Sequence, residues 1–192
     1  MADLKLNTTN GSITLKPENG TGNVDLTVLR GGFGKVLQVV SKVVTTRSSQ
    51  IVTTSDTLVN EMFLSIVPKS NNSIFRIDIR WFGERSDAWD TNFNVTRNGT
   101  RINVPTDRII GVGLCMPTQT YHLANDSNST PEIANFSTLD KTAGTVAGTS
   151  IEYKLQVISS ASGTLWNNRC FTDGGTNYEY GSSEIIITEI GA

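Results

Sequence analysis

Within residues 74–81, the side chains from Phe75 to Trp81 alternate strictly between apolar and polar. The apolar set, which falls on one side of an extended chain, is Phe75, Ile77, Ile79 and Trp81. A period of two is typical of a β-strand with one buried and one solvated face. No segment of the sequence combines the 3.6-residue apolar stripe of an amphipathic helix with helix caps. The chain is therefore predicted to be built almost entirely from β-strands.

Three further segments are predicted to be strands, and their side-chain patterns predict different degrees of burial. Residues 61–67 end at Pro68, which cannot donate a hydrogen bond to a sheet ladder. Residues 151–157 repeat the alternation, with apolar side chains at every second position. Residues 184–190 are apolar on both faces, as expected of a central strand that is covered on each side. We expect roughly nine to eleven strands from residue 35 onward.

The clearest local prediction is a hairpin at 93–104. Asn98 and Gly99 separate two strand-like runs, and this dipeptide favours a two-residue type I′ turn. Such a turn pairs Arg97 with Thr100, which sets the register of both strands. The register places Val95 opposite Ile102 and Phe93 opposite Val104. The four side chains predicted to face inward are Phe93, Val95, Ile102 and Val104.

The spacing of these strands predicts the fold class. Short, closely spaced strands leave no room for the crossover helices that a parallel sheet needs. The only helical signal is one short turn at 129–133, where Ser and Thr precede Pro and Glu. Residues 35–192 are therefore predicted to form an all-β domain, an antiparallel β-sandwich that is jelly-roll-like in its succession of strands.

Residues 1–34 differ from the rest of the chain. They contain two short strand-like pieces, Asn-Gly pairs at 10–11 and 19–20, and a glycine-rich run at 31–34 that resists bending very little. A segment of this kind carries too little apolar surface to fold alone. We therefore expect an extended N-terminal arm at 1–34, followed by the sandwich domain.

The charge of the chain limits its partners. The formal net charge is −2 and the sequence has no Lys/Arg cluster, so neither nucleic-acid binding nor membrane-surface binding is expected. No stretch of about 18 apolar residues and no secretory signal is found, which predicts a chain made in the cytoplasm without membrane insertion. Cys115 and Cys170 are interpreted as reduced, buried thiols, with a disulfide between them as the alternative.

Few residues offer catalytic or metal-binding chemistry. His122 is the only histidine, and the sequence contains no nucleophile elbow or phosphate-binding loop, so we expect no enzyme activity and no cofactor. One histidine and two distant cysteines cannot supply four zinc ligands. Glu84, Asp87 and Asp90 offer oxygen ligands for Ca²⁺, but they lack EF-hand spacing and are interpreted as a solvated loop.

Two polar segments are candidates for receptor binding, because long loops in compact domains often carry function. The first lies at 81–89 and the second within 118–142. Aromatic faces beside Asn and Asp side chains suit sugars. The predicted receptor-binding residues are Trp81, Glu84, Arg85, Asp87, Trp89, Tyr121, His122 and Asp126. The alternative is that Trp81 ends a strand in the core and Trp89 packs at a subunit contact.

Five stretches spaced along the chain carry a resemblance to a known class of proteins. They are 11–20 (GSITLKPENG), 24–29 (VDLTVL), 34–39 (GKVLQV), 97–100 (RNGT) and 178–190 (YEYGSSEIIITEI). Together they resemble virion structural and tail-fibre proteins of bacteriophages, especially marine and cyanobacterial phages. The 97–100 stretch resembles the central hairpin of that family, and 178–190 resembles its C-terminal signature.

The resemblance implies a non-enzymatic part of the particle, located on the outer surface of the virion, that docks through its N-terminal arm and displays a β-sandwich. The implied partners are further copies in a homotrimer, other virion proteins and a host surface polysaccharide. The apolar anchors of the arm are predicted to be Leu4, Leu6, Ile13, Leu15, Val24, Leu26 and Val28. Head and tail positions both stay open, so capsid decoration is the alternative to a host-binding appendage. A carbohydrate-active enzyme or lectin is a more distant alternative.

Overall fold

The computed structural model describes residues 34–86, 91–104, 113–115, 131–141, 144–172 and 179–191, and the backbone of 8–9, 12–13 and 118–119. Contacts divide the chain into two units, Met1–Gly34 and Lys35–Ala192. In the first unit, β1 (Thr8–Thr9) pairs antiparallel with β2 (Ser12–Ile13). The interpretation of this unit as an attachment arm stays a prediction.

The second unit contains eleven strands among the residues that the structure describes. They are β3 (Val36–Val44), β4 (Ser48–Val52), β5 (Thr57–Ile66), β6 (Ile74–Arg85), β7 (Thr91–Arg97), β8 (Thr100–Arg101), β9 (Thr118–Gln119), β10 (Glu132–Asp140), β11 (Ile151–Ser159), β12 (Gly163–Asn167) and β13 (Ser183–Ile190). No helix occurs in this described part, which confirms the all-β prediction. The helical turn expected at 129–133 is wrong for Glu132 and Ile133, because both lie in β10 and pair with β6; residues 129 and 130 lie outside the described ranges.

The eleven strands form two antiparallel sheets. One has the order β3-β13-β6-β10-β9, and β12 extends it by pairing with the end of β6 and with β4. The other has the order β5-β11-β7-β8. Buried side chains of both sheets belong to one hydrophobic cluster, so the sheets pack face to face. The antiparallel sandwich predicted from the sequence is confirmed.

The core contains the side chains that the alternation placed on the inner faces. In β6, the apolar positions from Phe75 to Trp81 are buried, and in β11 those from Ile151 to Val157 are buried. Aromatic rings join the two sheets. The ring centroids of Trp81 and Phe93 are 5.0 Å apart, and those of Phe75 and Tyr153 are 5.9 Å apart. Such pairs stabilise beyond the area that they bury.

Strand β13 is central, as predicted, because it pairs with β3 on one side and β6 on the other. Ile185 and Ile187 are fully buried on its inner face. Ile186 and Ile190 on the other face are only half-buried, so the prediction that both faces are covered is wrong. The apolar outer residues lie against their cross-strand neighbours on the same sheet and keep part of their surface exposed.

The hairpin at Asn98 and Gly99 has the predicted turn and the predicted first pair, Arg97 with Thr100. Both turn residues have positive φ, 48° and 85°, as a type I′ turn requires. Three of the four predicted inward side chains are buried, those of Phe93, Val95 and Ile102.

The far end of that hairpin differs from the prediction. Val104 is only half-buried, and Phe93 lies opposite Cys115 rather than opposite Val104. The pairing ends early because Asn103 adopts a left-handed conformation, with φ of 58°, which turns the chain away from β7.

Both cysteines are free thiols, as predicted, and the alternative disulfide is wrong. Cys170 is buried, as predicted, whereas Cys115 is only half-buried. Burial raises the pKa of the Cys115 thiol. Burial also raises the pKa of the Cys170 thiol, to about 12, and the nearby carboxylate of Glu84 adds to that shift. Neither thiol is therefore activated as a thiolate at neutral pH.

Candidate functional site

Three residues of the predicted receptor-binding set lie inside strand β6 rather than in a loop. Trp81 and Glu84 are fully buried and Arg85 is 6% exposed. The strand continues to Arg85 because residues 83–85 pair with β12. The prediction that Trp81, Glu84 and Arg85 contact a receptor is wrong, and the alternative that Trp81 packs in the core is confirmed.

The remaining predicted site residues fall mostly outside the described ranges. Of the arm anchors, Ile13 lies in β2. The predicted residues that lie outside the description are Leu4, Leu6, Leu15, Val24, Leu26, Val28, Asp87, Trp89, Tyr121, His122 and Asp126. Their roles stay predictions.

The indole of Trp81 begins a chain of hydrogen bonds that connects the two sheets. Its Nε1 donates to Oδ1 of Asn167 at 2.8 Å, and Nδ2 of Asn167 donates to Oε1 of Gln50 at 2.9 Å. The amide of Gln50 then bonds the backbone of β5, donating to the Leu58 carbonyl and accepting from the Asn60 N–H. Buried amides satisfied in this way fix the position of one sheet relative to the other.

Strand β6 changes partner at Phe82, pairing with β13 before this residue and with β12 after it. One side chain and one backbone N–H complete the hydrogen bonds of Phe82, where the partner changes. The Phe82 N–H donates to Oγ of Ser183, and the Phe82 carbonyl accepts from the Asn168 N–H. Gly83 is required here, because a Cβ atom would lie 2.0 Å from the Trp166 carbonyl oxygen.

The charged groups at the end of β6 are compensated by residues far away in the sequence. Nε of Arg85 lies 2.5 Å from Oε2 of Glu132, and both side chains are buried. The carboxylate of Glu84 accepts a hydrogen bond from the Phe171 N–H. Arg85 and Glu132 therefore form a buried ion pair, and Glu84 is hydrogen-bonded by the backbone, which lowers the cost of burying these charges.

The interpretation of Glu84 as part of a solvated loop is wrong, because Glu84 is fully buried in β6. Glu84 points into the protein and bonds Phe171, whereas Asp87 and Asp90 lie outside the described ranges. Within those ranges, no group of three or more His, Cys, Asp or Glu residues could hold a metal ion.

Glu189 is a buried carboxylate that accepts hydrogen bonds from four residues. It is fully buried on the inner face of β13 and accepts hydrogen bonds from Gln38, Ser73 and the backbone N–H groups of Lys69 and Ser70, at 2.6 to 3.1 Å. Burial alone raises the pKa of this carboxyl, but the hydrogen bonds outweigh burial and hold the pKa below its usual value. Glu189 thereby attaches the β5–β6 turn to β3 and β13.

A second buried carboxylate, Asp140, joins the ends of three strands. It accepts a hydrogen bond from Oη of Tyr153 at 2.7 Å and lies 3.3 Å from Nη1 of Arg97. Burial raises the pKa of Tyr153 far above its usual value, and the hydrogen bond to Asp140 raises it further. The phenol is therefore a permanent donor in a structural network, and it is not an acid–base group.

Two separate ring contacts involve the connections that follow β3 and β12. The ring of Phe171, which is 48% exposed, packs edge-on against Trp166 at 5.1 Å between centroids. Close to the start of β4, Cζ of Arg47 lies 4.6 Å from the centroid of the Tyr180 ring. Sequence analysis missed these contacts, because only the fold brings Arg47 and Tyr180 together.

No protein-family model matches the chain, and no curated protein matches it. Among the described residues, no helix is long and apolar enough to cross a membrane.

Proposed function

We propose that the chain is a non-enzymatic structural protein of a bacteriophage virion, a short surface appendage or fibre. Its N-terminal arm docks to the particle, and its β-sandwich is displayed on the outer surface of the virion for binding to the host. The proposed partners are further copies in a homotrimer, other virion proteins of the head or tail, and a host surface polysaccharide. The protein takes no cofactor and binds neither nucleic acid nor membrane.

The observation that carries the proposal is the division of the chain at residue 34. The unit Lys35–Ala192 has a hydrophobic cluster of its own. A self-sufficient sandwich leaves the N-terminal segment available for attachment. The sequence resemblance to phage virion proteins implies the same two roles, with docking by the N-terminal arm and display by the sandwich.

The use of buried polar groups supports a structural role. The buried carboxylates Glu84, Glu132, Asp140 and Glu189 all accept hydrogen bonds or ion pairs within the fold. A catalytic carboxylate instead faces a cleft in which a substrate can reach it.

Host binding is supported by aromatic and basic side chains of the connections that follow β3 and β12. Phe171 exposes its ring. In a separate contact, the guanidinium of Arg47 lies over the ring of Tyr180. Rings combined with hydrogen-bonding groups suit a polysaccharide, because the rings offer apolar faces and the polar groups offer specificity.

Capsid decoration is the second candidate function. The described part of the chain contains short antiparallel strands and no long coiled-coil or β-helical shaft, which favours a compact cement protein over an extended fibre. Locating the chain in a reconstruction of the particle separates the two candidates, since cement lies on the head and an adhesin lies at the exposed end of an appendage.

Removing residues 1–34 tests the proposal. The sandwich keeps its own core, so the truncated protein is expected to melt within about 4 °C of the full chain. It is also expected to lose incorporation into particles, measured by immunoblot of purified virions. As a control, residues 1–34 fused to an unrelated folded protein should load onto the particles. Truncated protein that still loads would show that the sandwich itself docks.

Replacing His122 by alanine tests the non-enzymatic part. The only histidine of the chain has no expected catalytic partner, so the variant should equal the wild type in every assay. The purified protein would be incubated with host polysaccharides and with common acyl and phosphoryl substrates. Turnover that disappears in the variant would contradict the proposal and favour the enzyme alternative.

A further inference from the structure

Strand β5 lies at the end of its sheet, so one of its two hydrogen-bonding edges has no neighbouring strand. It is ten residues long, and among the described residues it pairs only with β11. An open edge accepts strands from other molecules, and native proteins protect long edges with charges, proline, bulges or a covering element. Strand β5 contains no proline. Residues of the opposite sheet take part in its protection.

The direction of the backbone groups of β5 follows from the register. Alternate residues of a strand direct their N–H and carbonyl groups to opposite sides. In β11, Glu152 bonds the turn at the end of β7 through both groups, and the pairing with β7 is regular from Tyr153 to Ser159. Gln156 therefore also faces β7, so its partner Leu58 directs its backbone groups away from β11.

The side-chain amide of Gln50 occupies this edge near its start. Its Nε2 donates to the Leu58 carbonyl at 2.7 Å, and its Oε1 accepts from the Asn60 N–H at 2.8 Å. One side chain thus satisfies a donor and an acceptor of the edge, as the backbone of a neighbouring strand does. Gln50 lies on the inner face of β4, where a sandwich strand normally has an apolar residue.

Two residues of β3 bond the edge farther along. Lys42 donates from Nζ to the Glu61 carbonyl at 2.6 Å, and Gln38 donates from Nε2 to the Val67 carbonyl at 2.7 Å. Nζ of Lys42 also lies 4.1 Å from the centroid of the Phe63 ring. Both side chains belong to half-buried residues on the inner side of β3. The polar residues at these inner positions therefore reach the edge of the opposite sheet.

Glu61 adopts a conformation that interrupts the strand. Its φ is 60°, a left-handed value that is uncommon for a residue other than glycine. The pairing of β5 with β11 is irregular at this point, between the partners of Lys154 and Gln156. Irregularities of this kind bend an edge strand and disturb its ladder. An approaching strand therefore meets a bent edge with the Lys42 ammonium on it.

We propose that Gln38, Lys42 and Gln50, which we call the β5 cap, keep the edge of β5 from pairing with strands of other molecules. Together they bond four backbone groups of this edge. A strand that adds to β5 has to displace these bonds and bury the ammonium of Lys42. The inference goes beyond the proposed function and does not depend on it, because it concerns an association that the cap prevents.

The test replaces two residues of the β5 cap by apolar residues of similar size, in the double variant Lys42→Met, Gln50→Met. The Asn60 amide loses its acceptor, so its hydrogen exchange in dilute protein should become about 10-fold faster. At about 100 µM, the variant should form assemblies larger than those of the wild type, measured by sedimentation velocity. Circular dichroism verifies that the variant is folded.

The matched control is the double variant Lys154→Met, Gln156→Met. It makes the same two changes on β11, where both side chains lie on the outer face and Lys154 pairs with Glu152. This control should sediment like the wild type. Lys42→Arg keeps a donor and a positive charge at the edge, so it should also sediment like the wild type.

Three results would overturn the inference. They are a folded cap variant that sediments like the wild type, a β11 control that assembles to the same extent, and an Asn60 amide whose exchange rate is unchanged. Gln50 also bonds Asn167, so its replacement can unfold the protein. In that case Lys42→Met alone decides, because it leaves the contacts of Gln50 in place. It should assemble more than the wild type, and equal sedimentation would contradict the role of the cap.

Discussion

Replacing Ile187 by aspartate is expected to lower the free energy of unfolding by about 4 kcal/mol or more. Ile187 is fully buried in β13, between Val40 of β3 and Ile77 of β6. The substitution removes a buried aliphatic side chain and places a carboxylate where none of its cross-strand neighbours can pair with it. A domain of this size has about 5–15 kcal/mol of stability, so much of it is lost. Urea unfolding followed by circular dichroism measures the change.

Thr188→Asp is the matched control for this substitution. Thr188 is the next residue of the same strand, but it lies on the outer face, half-buried and opposite Arg76. An aspartate there stays in contact with water and faces a guanidinium, so we expect a change of less than about 1 kcal/mol. Equal unfolding midpoints for the two variants would show that the inner face of β13 is not part of the core.

Replacing Glu189 by alanine is expected to cost about 3 kcal/mol of stability. The substitution leaves the donors Gln38, Lys69, Ser70 and Ser73 without their shared acceptor, and Ser73 is itself buried. Glu189→Gln keeps one acceptor oxygen but removes the charge, so we expect a smaller loss, about 1–2 kcal/mol. Urea unfolding at neutral pH measures both losses.

The effect of Glu189 should depend on pH in a defined direction. The folded protein holds the pKa of this carboxyl below its usual value, whereas the unfolded chain has a pKa of about 4.3. The stabilisation is therefore complete above the unfolded pKa and is lost as pH falls through the folded pKa. The difference in unfolding free energy between wild type and Glu189→Ala should shrink below about pH 4.

Glu184→Ala is the control for that pH dependence, because Glu184 lies in the same strand but on the half-exposed outer face. Its removal should change stability by less than about 1 kcal/mol. A Glu189→Ala variant whose loss stays constant down to pH 2 would contradict the hydrogen-bonded carboxylate described above.

The predictions that the structure confirms rest on local stereochemistry. Side chains of an extended chain alternate between two faces, so the sequence of 74–81 is sufficient to identify which side chains face the core. The Asn98-Gly99 turn likewise depends on two residues that tolerate positive φ. The same alternation places Glu189 on the buried side with Ile185 and Ile187, a signal that the sequence contains and that its charge obscured.

The incorrect predictions concern residues whose environment depends on distant parts of the chain. Glu84 and Arg85 have the polarity of a loop, and only the contacts with Phe171 and Glu132 make their burial in β6 acceptable. Val104 does not pair with Phe93, because the chain turns away from β7 at Asn103 and Cys115 takes the position opposite Phe93. No local pattern contains this information.

The sequence by itself determined that this protein is an antiparallel all-β domain, where its clearest turn lies and which faces of β6 and β11 are inward. These properties follow from backbone geometry over a few residues. Only the tertiary structure decided that β6 passes from β13 to β12 at Phe82, that Gln50 and Asn167 connect the sheets, and that the outer face of β13 stays partly open. Strand pairing joins residues that are distant in the sequence, and many alternative pairings fit the local sequence equally well. Packing of the core and hydrogen bonding of its buried polar groups select one of them.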